Sequence, residues 1–190
     1  MVNLIVMFVA GIATDLGNVL SNRSGDAGLF AVDQRGKYVV YQTEPLAEGI
    51  DFSEVHRRLG AWMDAKGNST SVKGPHRIES TGAVAMKKHA GIGNFVAGEI
   101  HYTLVVENNN GEVNYWFTDL AYQPYRNDRY GKRIKATTSP IPLEKQLSKL
   151  NANVWKKQKG YAYETINELA EQLAVQLEAA GKPKVITTSM

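Results

Sequence analysis

Asn110-Gly111 lies between two long runs of β-branched and aromatic residues in GEIHYTLVVENNNGEVNYWFTDLAYQPY, residues Gly98–Tyr125. No other feature constrains the fold as much. A two-residue type I′ turn needs positive φ at both central positions, and Asn-Gly supplies it at little cost. The turn therefore predicts an antiparallel hairpin and its register. Val106 faces Tyr115, Leu104 faces Phe117 and Tyr102 faces Asp119 on one side. Val105 faces Trp116, Thr103 faces Thr118 and His101 faces Leu120 on the other. Side chains alternate across a sheet. Leu104, Val106, Tyr115 and Phe117 are thus the core set. His101, Thr103, Trp116 and Thr118 belong to the more open face.

The rest of the chain supplies what such a hairpin needs for burial. GKYVVYQTEPL (Gly36–Leu46) reads as a strand stopped by Pro45. Asp51 and Glu54 have capping-box spacing, and Phe52, Val55, Leu59 and Trp62 follow on one helical face that ends near Lys66-Gly67. His76–His89 is a second strand, with Ile78, Val84 and Met86 sharing parity. Gly82 suits a bulge or a close approach of the helix. Gly91, Gly93 and Gly98 lack the spacing and context of a dinucleotide loop. Ile134 fits a further edge strand, and Leu143–Leu150 is a short helical candidate after Pro142. Ile166, Leu169, Leu173 and Leu177 line a final helix over Glu164–Ala180, with Gly181 as its stop.

Composition narrows the function classes. Among 190 residues there is no cysteine, which excludes disulfides, thiol nucleophiles and Cys-based zinc sites. The net charge is only +3. Between Ala121 and Gly160, however, ten basic residues face two acidic ones, a surplus of eight that leaves −5 for the remainder. Such asymmetry marks either an anionic partner or a solvated face of long basic side chains, and the second reading is preferred. Met1–Ala13 carries a short apolar run and a small-x-small site at Gly11-Ile12-Ala13, and reads either as a secretory signal or as a buried terminal segment of the fold. No Lys or Arg precedes the run, and it is too short to span a bilayer. Residues 1–27 are read as a signal-like or irregular lead-in, 28–181 as one domain and 182–190 as a tail.

No catalytic constellation emerges. His56, His76, His89 and His101 make no metal spacing. A pairing of His89 and His101 with Glu99 or Asp119 is weighed against surface histidines, and the surface reading is preferred. No metal and no cofactor is expected. Asp119 is predicted on the core side, hydrogen-bonded near Tyr102, because a buried carboxylate without partners is costly. No serine sits in a nucleophile elbow. The candidate binding residues are Trp116, His101, Val105 and Tyr122 on the open face, with Arg126 and Arg129 in the adjoining basic stretch. An exposed tryptophan needs a cover. The Lys132–Leu150 segment folding back, a second copy of the chain, or a ligand would each serve, and the segment is preferred.

Several phrases resemble a domain-of-unknown-function family of secreted Bacteroidota proteins with a TATA-binding-protein-like fold. They are GKYVVYQTEPL before FSEVHRRLGAWM, then STGAVAM, GEIHYTLVVENNNGEVNYWFTDL, IPLEKQL and ETINELAEQLAVQLEAA. They cover roughly residues 30–180. The resemblance implies export to the periplasm or cell envelope, and it implies no reaction. The expected fold is α+β: an antiparallel sheet of about five strands in a β-α-β4-α order, with both helices on one face. The expected function is a non-enzymatic binding or assembly module of the cell envelope, taking an unknown protein or small ligand at the open sheet face. Homo-oligomerisation is one way to cover that face. The alternative is a polyanion or nucleic-acid binder using residues 126–159. It is not favoured, because no helix carries base-reading side chains at a groove-facing spacing. An enzyme of unknown reaction ranks third.

Overall fold

A computed structural model describes residues 29–45, 51–90, 93–109 and 111–178. The signal-like start, Asn110, the Gly181 stop and the tail lie outside the described residues. The elements run β1 (Ala31–Val32), β2 (Tyr38–Pro45), α1 (Phe52–Ala65), β3 (Ser69–Gly74), β4 (Arg77–Ala90), β5 (Gly93–Asn109), β6 (Glu112–Asn127), β7 (Arg133–Lys135), β8 (Ile141–Pro142) and α2 (Ala152–Glu178). The class is α+β, as expected, but the sheet is larger than five strands. Its main path is β1-β2-β6-β5-β4-β3, every pairing antiparallel, and the two short strands β7 and β8 also pair with β6.

The hairpin β5–β6 is the spine. Asn109 pairs with Glu112, and Gly111 has φ 90°, as a turn at residues 110 and 111 requires. Val106 pairs with Tyr115, Val105 with Trp116, Leu104 with Phe117 and Thr103 with Thr118. The predicted register then breaks. His101 pairs with Ala121, not Leu120, so Asp119 and Leu120 together oppose Tyr102 alone. This is a β-bulge, and Asp119 carries it at φ 51°. One extra residue reverses the parity of everything that follows. Leu120 and Tyr122 turn into the core, while Asp119 turns out of it.

The bulge also marks a change of neighbour along one edge of β6. Residues Glu112–Phe117 pair with β2. Beyond the bulge, residues 120–127 pair instead with the returning chain, through β8, Leu143 N–H to Leu120 O (2.9 Å), Ala136 N–H to Pro124 O (2.8 Å) and β7. The Leu143–Leu150 segment is therefore not a helix. Its first residues extend the sheet edge, and only a 3-10 turn at Lys149–Asn151 precedes α2.

Helix α1 matches expectation. The Asp51 carboxylate caps it by accepting from Glu54 N–H at 2.9 Å. The Glu54 side chain does not complete a capping box. Arg57 and Arg58 hold it, and their hydrogen bonds draw its pKa down to about 2. Gly67 (φ 71°) ends the helix. Helix α2 begins twelve residues before the expected Glu164. Its apolar stripe runs from Trp155 through Ala162, Ile166, Leu169, Ala170 and Leu173. The Trp155 indole N–H donates to Lys145 O (2.7 Å) and anchors the first turn.

Both helices pack on the face of Ile78, Met86, Ile100, Leu104, Val106, Tyr115, Phe117 and Leu120. Gly82 answers a close approach, though not of the helix itself. A Cβ there would collide with the Asn68 side chain just past α1 and with the Tyr102 hydroxyl. Because Leu59 and Leu173 are fully buried in the helix stripes, Leu59→Ala and Leu173→Ala should each destabilise by about 2–5 kcal/mol. Urea midpoints matching the parent for both would contradict this packing.

Candidate functional site

The face of the sheet away from the helices carries a shallow groove of about 560 Å³. Its floor is Thr103 and Val105 from β5 with Trp116 and Thr118 from β6. Pleat and register put these four side by side, since Val105 faces Trp116 and Thr103 faces Thr118. Val105 and Thr118 are nonetheless buried, at 3% and 2% exposure, so something already covers them.

Two arginines supply that cover. Arg77 of β4 lays its guanidinium 5.6 Å from the Trp116 ring centre, a cation–π distance. It is held by Glu79 (2.8 Å) and by Glu107. Arg35 comes from the tight β1–β2 turn. Asp33 shapes that turn by accepting from Arg35 N–H (2.9 Å) and Lys37 N–H (2.8 Å). The Arg35 side chain is paired with Asp33 (3.0 Å), donates to Thr118 Oγ1 (3.0 Å) and reaches Asp119 at 3.7 Å. On the other flank of Trp116, the Tyr41 ring stacks at 6.1 Å between centres, and its hydroxyl donates to Asn114 (2.7 Å). Trp116 is thus half-buried and clamped between an aromatic ring and a cation.

These side chains correct three expectations. The Lys132–Leu150 segment does not cover Trp116, because it is spent on the β6 edge. Asp119 does not point to the core. The bulge places it on the groove wall, where Arg35 and Lys37 (3.9 Å) neutralise it. Tyr122 does not join the open face. It lies under α2, 6.4 Å from Trp155 between ring centres, with its hydroxyl donating to Ala97 O at 3.0 Å.

The remaining candidates divide by place. Val105 and Trp116 share the groove. His101 lies at its far end, beside Thr103 and Asp119, and shares a 2.9 Å hydrogen bond with Glu99. Glu99 also accepts from Tyr125 (2.6 Å) and pairs with Lys135 (3.6 Å). Its burial pushes its pKa up, but the hydrogen bonds from Tyr125 and His101 outweigh this and hold it below the usual value. Arg129 sits in the β6–β7 turn over the Tyr130 ring (4.7 Å). Arg126 lines a different hollow, beyond the core. The sequence reading missed Arg35, Arg77 and Asp33. Arg77 was accessible to it in principle, since extending the hairpin register across β4 brings Arg77 opposite Glu107. Among the described residues no group of three His, Asp or Glu side chains gathers as a metal site would.

The phenols of this hairpin give the fold a pH signature. Burial raises the Tyr102 pKa to about 12 against a lowering hydrogen bond from Asn68, and Glu99 raises that of Tyr125 to about 12. Burial also raises Tyr115 and Tyr122. The folded state keeps its phenol protons where the unfolded chain, near its ordinary value of 10.0, loses them. The resulting stability is complete below about pH 10 and is lost as pH rises toward about 12. Urea midpoints should fall across that window, and less steeply in Tyr102→Phe. A midpoint that holds steady to pH 12 would contradict the burial of these hydroxyls.

No protein-family model matches the chain, and no curated protein does. Solved structures do. A TBP-like protein from Parabacteroides distasonis ATCC 8503 aligns with a TM-score of 0.54 at 12% identity, covering 76% of this chain and 95% of its own. A DUF4468 family protein from Bacteroides ovatus ATCC 8483 aligns with a TM-score of 0.52 at 13% identity, covering 90% of this chain and 98% of its own. At such identities the likeness speaks for the fold alone: the chain has a TBP-like α+β fold.

Proposed function

We propose that this protein is a non-catalytic binding module of the bacterial cell envelope, and that the groove around Trp116 is its ligand seat. The observation that carries this reading is the clamped Trp116. Tyr41 and Arg77 hold a large amphipathic ring, half-buried, at the floor of a preformed groove. Rigid aromatic rings flanked by fixed polar groups bind with little ordering cost. The acids around it are engaged by cations: Asp33 and Asp119 by Arg35, Glu79 by Arg77. None stands beside a nucleophile in the arrangement that acid–base chemistry needs. Export rests on the signal-like residues Met1–Ala13 and on the sequence resemblance to secreted proteins. Among the described residues no helix is long and apolar enough to cross a membrane.

The test has two arms. Soluble peptidoglycan fragments and surface glycans are titrated while the indole N–H resonances of Trp116 and Trp155 are followed by NMR. A saturable shift at Trp116 with Trp155 unmoved, abolished in Trp116→Ala, is the expected outcome. Self-association of the parent, lost in the same variant, would make the ligand a second copy. Neither effect appearing would overturn the ligand seat. For export, the full chain should be recovered from the periplasmic fraction and a chain lacking Met1–Ala13 from the cytoplasm. Equal retention of both inside would overturn the envelope assignment.

A further inference from the structure

A second hollow, of about 460 Å³, lies where β6 runs out beyond α2. Lys88, Arg126 and Arg133 line it with Phe95, Tyr122 and Tyr125, and no acid does. We propose that this hollow binds a phosphate monoester carried on a flat or apolar group.

Charge is the first argument. Three cations converge from three strands, and among the described residues none of them belongs to an ion pair. Of the other described arginines, Arg35, Arg57, Arg58 and Arg77 each hold a carboxylate, while Arg129 lies over the Tyr130 ring. Lys88 is half-buried, with the Tyr161 ring 5.7 Å from its ammonium. Burial depresses its pKa, the mark of a charge without a compensating anion. Glu99 accepts the Tyr125 hydroxyl from behind, but His101 and Lys135 already share that carboxylate.

Shape is the second argument. Phe95 is 47% exposed, a large apolar ring kept at the edge of a cationic hollow. Phe95 opposes Lys88 in the sheet, while the β6–β7 pairing sets Arg126 against Ile134 and Asn127 against Arg133, so the two arginines reach the hollow from opposite faces of that ribbon. Arginine forks suit phosphate oxygens in bidentate geometry. A monoester brings a charge of about −1.5 to −2 at neutral pH, closer to three cations than a lone carboxylate does. The volume holds one small molecule and not a nucleic-acid strand. This site lies at the β6–β7 end of the sheet, shares no lining residue with the Trp116 groove, and stands independently of it.

Phenyl phosphate, inorganic phosphate, benzoate and a ten-nucleotide single strand are titrated by calorimetry into the full chain. Phenyl phosphate should bind at least about tenfold more tightly than phosphate or benzoate, with affinity falling as salt rises. Arg126→Ala/Arg133→Ala and, separately, Lys88→Met should each weaken it by about tenfold or more. Phe95→Ala should erase the preference over inorganic phosphate. Lys156→Ala/Lys157→Ala, on the exposed face of α2, and Trp116→Ala should bind as the parent does. No saturation by phenyl phosphate, equal binding of phosphate and phenyl phosphate, or indifference to the hollow's variants would overturn the proposal. So would a strand that binds more tightly than the monoester.

Discussion

Replacing Phe117 with alanine is expected to destabilise the protein by about 3–5 kcal/mol, measured from the shift in urea midpoint at constant slope. Phe117 is fully buried and lies at the centre of the core face. Its ring meets Tyr102 edge-on at 5.3 Å and Tyr115 at 6.5 Å between centres. Removing it takes away the transfer energy of the ring and those edge contacts together. Little can collapse into the space, because β6 is paired with β2 on one side and β5 on the other. Tyr115 is further tied to α2 through its hydroxyl, which donates to Ala170 O at 3.3 Å. A loss below about 1 kcal/mol would mean that the helices do not sit on this face.

The alternation that identifies Phe117 as core was legible because it lies near the Asn-Gly turn. One residue pair beyond Phe117, it stopped being so. Nothing in the letters Phe-Thr-Asp-Leu says that Asp119 takes a left-handed conformation. Asp tolerates αL better than most residues, yet it usually stays extended in a strand. The reason for the bulge is tertiary. It sits where β2 ends as the neighbour of β6 and the returning chain takes over, and Arg35 and Lys37 reach Asp119 there. A local reading of the strand could not see that exchange.

Helix α2 was missed over its first three turns for a different reason. Lys156, Lys157, Lys159 and Gly160 resemble a solvated loop, and Gly lowers helix propensity. Tertiary packing overrides this. Trp155 enters the core seven residues before Ala162, and Lys159 is itself buried, its ammonium 5.8 Å from the Tyr38 ring. Strand β3 was missed because Asn68–Gly74 is mostly polar, and it forms by pairing with β4 at the sheet edge. The groove was partly legible. Parity named Trp116, Val105 and His101, whereas Arg35 reaches the groove only through a turn far away in sequence.

One extra residue therefore sorts the aromatic cluster onto two faces. Trp116 stands before the bulge on the face away from the helices, and Tyr122 stands after it in the core. The two would share a face if the strands paired without interruption. Urea unfolding of Tyr122→Ala beside Trp116→Ala measures this sorting directly. Tyr122→Ala loses a buried ring against Trp155 and the bond to Ala97, and should cost about 3–5 kcal/mol. Trp116→Ala loses contacts with Tyr41, Arg77 and Val105 on the face away from the helices, and should cost about 1 kcal/mol. The reverse order, or equal losses in the two variants, would contradict the bulge and with it the assignment of Trp116 to a binding surface.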